Sequence, residues 1–131
     1  MVDVAVSLFA VIVDCKNPRE QADFWALALS WPVTERNPDE FQVGDPTHGS
    51  VSLYFMKVPE PKIMKNRLHI DLLADGSMDA EVARLVASGA QVVEVREDPD
   101  SFDNPDRWTV MLDPEGNEFC VTSSLTLTGW R

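Results

Sequence analysis

Arg67, His69 and Asp71 fall at alternate positions in the run Arg67-Leu68-His69-Ile70-Asp71-Leu72-Leu73-Ala74-Asp75, and Glu118 and Cys120 do the same in Glu118-Phe119-Cys120-Val121. In an extended strand, alternate side chains share a face. Leu68, Ile70, Leu72 and Ala74 make one apolar row that must meet a helix, which leaves Arg67, His69 and Asp71 on the other side. Phe119 and Val121 do the same for the last strand and leave Glu118 and Cys120. The chemistry such a set offers is proton transfer. His69 would act as general base or acid oriented by Asp71, with Arg67 or Glu118 meeting developing charge. A lyase or isomerase step on a small oxygenated substrate suits these roles. Each residue also has a plainer role: His69 held in a hydrogen-bonded strand, Arg67 neutralising Asp71 or Glu118, Cys120 as a small packed thiol.

The elements that must carry these residues read as two copies of one order. Phe9 to Asp14 is a strand ending in Asp, followed by a helix over about Pro18–Leu29 with Pro in its first turn and Ala22, Trp25, Ala26 and Leu29 at helical spacing. Strands follow around Pro32–Glu35, Glu40–Val43 and Val51–Val58. The second copy opens with Leu68 to Asp75. Ser77 then caps a helix stopped by Gly89, and strands follow at Gln91–Val95, Trp108–Leu112 and Glu118–Thr122. The last two strands flank Asp113-Pro114-Glu115-Gly116-Asn117, the turn of a β-hairpin. The whole is one α+β domain of two βαβββ modules, about 6–58 and about 66–123, with a linker at about 59–65 and a tail at 124–131.

The closing hairpin, with Asp14-Cys15, Pro18, Ala22, Phe24-Trp25 and Leu29 in the first module and Lys65-Asn66-Arg67-Leu68-His69-Ile70-Asp71 in the second, resembles the glyoxalase/bleomycin-resistance/extradiol-dioxygenase group, the vicinal oxygen chelate superfamily. The likeness runs from about Leu8 to Thr122. One departure is Ser30-Trp31, where a Gly commonly follows the first helix. The resemblance implies a curved mixed sheet around a central cavity with helices outside, and it implies that two copies pair as a homodimer. It places Arg67, His69, Asp71, Glu118 and Cys120 in one half of the cavity.

Aligning Asp14 with Asp75 puts Leu8, Ala10 and Ile12 on the cavity side of the first strand, with Phe9, Val11 and Val13 towards the helix. Aligning Gly49 with Gly116 sets Leu53 opposite Cys120, so Leu53 and Phe55 would line an apolar wall. Trp108 would edge the pocket. Metal-dependent relatives hold a divalent ion with one side chain from the opening and one from the closing strand of each module. Those places carry over as Leu8, Leu53, His69 and Cys120. Only two of these can coordinate, so no metal site and no cofactor are expected; a divalent ion would need Glu118 or Asp71 as an unusual third ligand.

Composition narrows the partners. The 131 residues carry a net charge of −11, with 44% hydrophobic and 25% charged residues, which suits a globular domain and argues against nucleic acid or an anionic membrane surface. No run is long enough to span a bilayer. The apolar start, Met1 to Val13, carries Asp3 and is rich in valine, so it reads as a strand rather than a signal sequence. Cys15 and Cys120 are too few for a disulfide scaffold, and a cytoplasmic location with reduced thiols is expected. Lys57, Lys62, Lys65 and Arg67 gather at the linker, where they either face water or steer an anionic ligand. Asp98, Asp100, Asp103 and Asp106 crowd the loop before Trp108 without the glycine and terminal Glu of a calcium loop.

Three functions of different kinds follow. The first reading is a metal-independent domain that binds or sequesters a small organic molecule, with Trp108, Arg67, Cys120, Leu53 and Phe55 as contacts. The alternatives are an acid–base lyase or isomerase using His69, Asp71 and Glu118, or a metal-dependent lyase or dioxygenase with an unusual ligand set. The third kind is an interaction module whose working surface is a dimer interface formed by the opening strand and the Trp130 tail.

Overall fold

The computed structural model describes residues 5–45, 47, 51–98 and 106–123. Gly49, Asp100, Asp103 and Trp130, which figure in the sequence reading, lie outside the described residues, as does the tail. The chain divides into two units, Met1–Pro61 and Lys62–Arg131. The first contains β1 (Ala10–Cys15), α1 (Pro18–Leu29), β2 (Val33–Asn37), β3 (Glu40–Val43) and β4 (Ser52–Lys57). The second contains β5 (Ile70–Leu73), α2 (Met78–Ala87), β6 (Gln91–Asp98), β7 (Asp106–Leu112) and β8 (Glu118–Thr122). Each is a βαβββ unit with a four-stranded sheet, ordered β1-β4-β3-β2 and β5-β8-β7-β6. In both, the opening strand pairs in parallel with the closing strand, and the remaining pairs are antiparallel.

Local chemistry sets the element ends. Asn17 caps α1 by accepting the Glu20 N–H on its side chain, with Pro18 in the first turn. Ser30 ends the helix in the left-handed region at φ 56°, the conformation that glycine takes without a Cβ penalty. Ser77 Oγ accepts the Ala80 N–H at 3.1 Å and starts α2. Gly89, at φ 116°, ends that helix, and a Cβ there would lie 3.4 Å from Pro114 of the closing hairpin.

In the first unit, α1 packs Phe24 and Trp25 into a core with Phe41, Val43, Leu53 and Phe55, all buried. The Arg19 guanidinium lies 5.5 Å from the centre of the Phe41 ring, which identifies the Phe41 side of the sheet as the helix side. Burying a side chain of this size stabilises by about 1.5–3 kcal/mol. In the second unit the same role falls to Met78 and Leu85 of α2 against Met111, Phe119 and Val121. Thr109 Oγ1 reaches Met78 Sδ at 3.7 Å from the same side.

Two expectations are corrected. The strand expected from Leu68 begins only at Ile70. Arg67 and Leu68 form a bend, and Leu68 is 84% exposed rather than facing a helix. The cause lies one residue earlier. Asn66 donates its backbone N–H to Glu118 Oε1 at 2.9 Å and its side-chain amide to Asn117 Oδ1 at 3.0 Å, so the chain is held at the end of β8 before it can pair along it. From Ile70 onward the alternation holds. Ile70, Leu72 and Ala74 are covered to a greater degree, and Asp71, Leu73 and Asp75 are exposed.

The second correction concerns Leu53 and Phe55. Leu53 stands beside Val11 and Val43, and Phe55 beside Val13 and Phe41, so both face α1 and form core rather than ligand wall. They are 7% and 0% exposed. The opposite face of that sheet presents Ile12, Gln42, Ser52 and Tyr54. A one-residue slip in register moves every side chain to the other face, and that is the size of the error. Phe9, expected on the helix side, precedes β1 and packs its ring 5.9 Å from that of Tyr54.

Candidate functional site

The strands of the second unit bring a mixed set of side chains onto the sheet face opposite α2. Parallel pairing puts Asp71 beside Cys120, and antiparallel pairing puts Cys120 beside Val110 and Thr122 beside Trp108. Arg96 stands beside Trp108 on the next strand. Since paired residues share a face, Asp71, Cys120, Trp108 and Arg96 project to one side while Phe119, Val121 and Met111 fill the core on the other. Cys120 and Trp108 are half-buried and Asp71 is exposed. Arg96 also pairs with Glu94.

The electrostatics of this face are set by Cys120 and Asp71. Burial pushes the Cys120 thiol up, and the Asp71 charge and the thiol's hydrogen bond to it push it further. The positive charges of Arg96 and Lys65 pull the other way and do not prevail. A thiol held protonated donates a hydrogen bond and is a weak nucleophile. The Cys120–Asp71 pair thus combines a thiol donor with a carboxylate acceptor on this face.

Glu118, expected among the catalytic groups, is engaged in holding local structure. Its side chain is 18% exposed and is gripped on both oxygens, Oε2 by Lys62 Nζ at 3.1 Å and Oε1 by the Asn66 N–H at 2.9 Å. Burial alone would raise the carboxyl. The Asn66 N–H, the Lys62 side chain and the Glu118 backbone N–H outweigh it and hold Glu118 below its ordinary value. The carboxylate fastens the segment 62–66 to β8. The turn beyond it is equally well tied, with Asp113 Oδ1 accepting the N–H groups of Glu115 and Asn117, each at 2.9 Å.

His69 and Asp71 do not come together as an oriented pair. His69 Nε2 lies 3.0 Å from Lys65 Nζ and 3.1 Å from the Asn66 carbonyl oxygen. His69, Arg67 and Lys65 are all exposed. The acid–base arrangement thus lacks its orienting carboxylate. Alternation alone had joined the two residues. The bend that breaks the alternation was not legible, because it depends on Asn66 meeting Glu118 across 52 positions of sequence.

The donor set does not suit a resident divalent ion. Of the four places that the resemblance marks, Leu8 and Leu53 have no ligating atom, and Leu53 faces the helix. His69 and Cys120 are engaged with Lys65 and Asp71. Among the described residues, no three His, Cys, Asp or Glu side chains gather as a metal would need. The residue of this face that sequence reasoning missed is Arg96. The parity of the β6–β7 hairpin register was the available signal for it.

A family model described as "Glyoxalase-like domain" matches residues 10–122. Among solved structures, a glyoxalase/bleomycin resistance protein/dioxygenase family enzyme from Burkholderia phytofirmans PsJN is similar with a TM-score of 0.71 at 18% identity, over 91% of this chain and 99% of its own. An oxidase, ChaP-H2, is similar with a TM-score of 0.63 at 20% identity, over 92% and 94%. A glyoxalase/bleomycin resistance protein from Albidiferax ferrireducens T118 gives 0.63 at 17% identity, over 88% and 97%. At these identities the likeness is one of fold. No curated protein matches the chain in sequence. Among the described residues no helix is long and apolar enough to cross a membrane.

Proposed function

Because the chain belongs to the glyoxalase-like domain family, we propose that it binds a small organic molecule on the open sheet face of its second unit and does so without a resident metal. The observation that carries this reading is the Cys120–Asp71 pair. At the place where metal-dependent relatives carry a carboxylate ligand, this chain has a half-buried thiol paired across β5 and β8 with Asp71, and burial and Asp71 push that thiol up. Polar groups on the same sheet face as a half-buried Trp108 match what small-molecule sites use, an apolar or aromatic surface with a few fixed polar groups.

The test is tryptophan fluorescence during titration with a panel of aromatic acids, amines and alcohols, run in parallel on a Trp108→Phe variant. The expected result is saturable quenching by at least one compound that is lost in the variant. No saturable response to any compound by fluorescence or calorimetry would overturn the reading. Cys15 and Cys120 are not joined in a disulfide, which supports a reducing cytoplasm as the location we propose. The family likeness also implies that two copies pair, which light scattering at micromolar concentration reads directly.

A further inference from the structure

We propose that Lys65 and His69 form the seat for an anionic group, a carboxylate or phosphate, on the small molecule bound by the second unit's open face; the proposal rests on the ligand-binding reading above and names the class of ligand.

The charge pattern comes first. The chain has 22 acidic and 11 basic residues, yet the segment 62–69 holds Lys62, Lys65, Arg67 and His69 and no acid. Lys62 is neutralised by Glu118 at 3.1 Å. Lys65 and Arg67 are exposed and have no ion pair among the described residues. In so acidic a protein, two exposed cations outside any ion pair mark a place where the fold keeps positive charge available.

The geometry of His69 adds a second observation. Its Nε2 lies 3.0 Å from the Lys65 ammonium and 3.1 Å from the Asn66 carbonyl oxygen. One ring nitrogen cannot accept a proton from Lys65 and donate one to Asn66 at the same time. In either tautomer one of the two contacts lacks its counterpart. An anionic oxygen taking the Lys65 N–H groups resolves this, leaving Nε2–H free to donate to Asn66 or to the same anion.

The seat is also built in advance. Asn66 is fixed by its N–H to Glu118 and its amide to Asn117, so the backbone between Lys65 and His69 is anchored to β8 before any ligand arrives. Two residues after His69, Asp71 stands beside Cys120, and the sheet continues to Val110 and Trp108. A molecule with its anionic end at Lys65 would lay an aromatic or apolar body along that row. Asp71 disfavours a second negative charge there, so the fitting class is a small monoanion with an apolar body.

The test is amide and imidazole NMR during titration with benzoate, benzyl alcohol and benzamidine, three probes of one shape and different charge. Benzoate is expected to shift His69, Asp71 and Cys120 and to bind several-fold tighter than the other two. Lys65→Gln and His69→Gln should each weaken benzoate by ~3- to 10-fold, the scale of an exposed charge contact, and leave benzyl alcohol unchanged. Added salt should narrow the gap between probes. Benzoate binding no tighter than benzyl alcohol, or unaltered in both variants, would overturn the anion seat and leave the ligand reading standing. Failure of all three probes to perturb the open face would overturn both.

Discussion

Glu118 and Asn66 are joined by a 2.9 Å hydrogen bond from the Asn66 N–H to the Glu118 carboxylate, and this one contact decides where β5 starts. Lys62 takes the second carboxylate oxygen at 3.1 Å. A residue whose type and place pointed to catalysis is thereby the clasp that fixes the segment carrying Lys65 and His69. Its partners are a backbone donor and an ammonium that have no other acidic acceptor among the described residues. Loss of the carboxylate charge therefore affects stability before it affects any chemistry.

Glu118→Gln is expected to cost about 1–3 kcal/mol in urea unfolding at pH 7, the range for a hydrogen-bonded charge that is partly buried. The pH dependence has a definite sign. The folded-state carboxyl lies below its ordinary value, so the stabilisation is fully present above the unfolded-state titration. It is lost as pH falls through the folded-state value. The difference between wild type and variant should therefore be constant near neutrality and shrink in acid. A gap that persisted or grew in acid would contradict this assignment.

Ser30→Gly is expected to raise stability by about 0.5–1 kcal/mol, because the left-handed conformation that costs a serine is open to glycine, less the extra chain entropy glycine loses. Ser30 closes α1 with the Trp31 N–H bonded to the Ala26 carbonyl at 3.1 Å. The midpoint of urea unfolding reads the change. A lower midpoint would mean that the serine side chain contributes more than its backbone strain costs.

Leu53→Ala is expected to lose about 2–4 kcal/mol, the cost of emptying a core position, and to leave ligand binding at the second unit's face intact in the folded protein. The faces of β4 show how far sequence carries. The order of the ten elements among the described residues was legible because β-branched runs, Pro18, Ser77, Gly89 and the Asp113–Asn117 turn each act locally. Which side of β4 meets α1 was not, since Leu53-Tyr54-Phe55 offers large apolar or aromatic side chains on both faces. Only the pairing of Phe55 with Phe41 settles it. The same reason hid Tyr54 and Gln42. In β8, where Glu118, Cys120 and Thr122 alternate with Phe119 and Val121, the pattern was unambiguous and the faces are as expected.

Cys120 is expected to react slowly with iodoacetamide at pH 8, and Asp71→Asn to speed the reaction by ~3- to 10-fold as the thiol loses a neighbouring negative charge. Burial is the first cause of the raised value and remains in the variant, so the rate should stay below that of a free cysteine. Peptide mapping of the alkylated protein separates Cys120 from the buried Cys15. An unchanged rate would show that Asp71 exerts no field on the thiol.

Protein purified without a histidine tag or chelator is expected to carry no stoichiometric zinc, nickel, manganese or iron by mass spectrometry, and to bind none of them tightly in calorimetric titration. The argument is one of donors. Leu8 and Leu53 supply none, the Cys120 thiol is held protonated, and His69 Nε2 faces an ammonium and a carbonyl oxygen. A divalent ion there would have to displace Lys65 and deprotonate a thiol beside Asp71, with at most His69, Cys120 and Asp71 as protein ligands. His69→Ala gives the sharper reading. If the wild type carried an ion at unit stoichiometry and the variant lost it, the metal-free reading would fall and a lyase or dioxygenase with an unusual ligand set would replace it. If both proteins are empty and neither responds to added ions, the metal-free reading stands and the lyase or dioxygenase with an unusual ligand set falls.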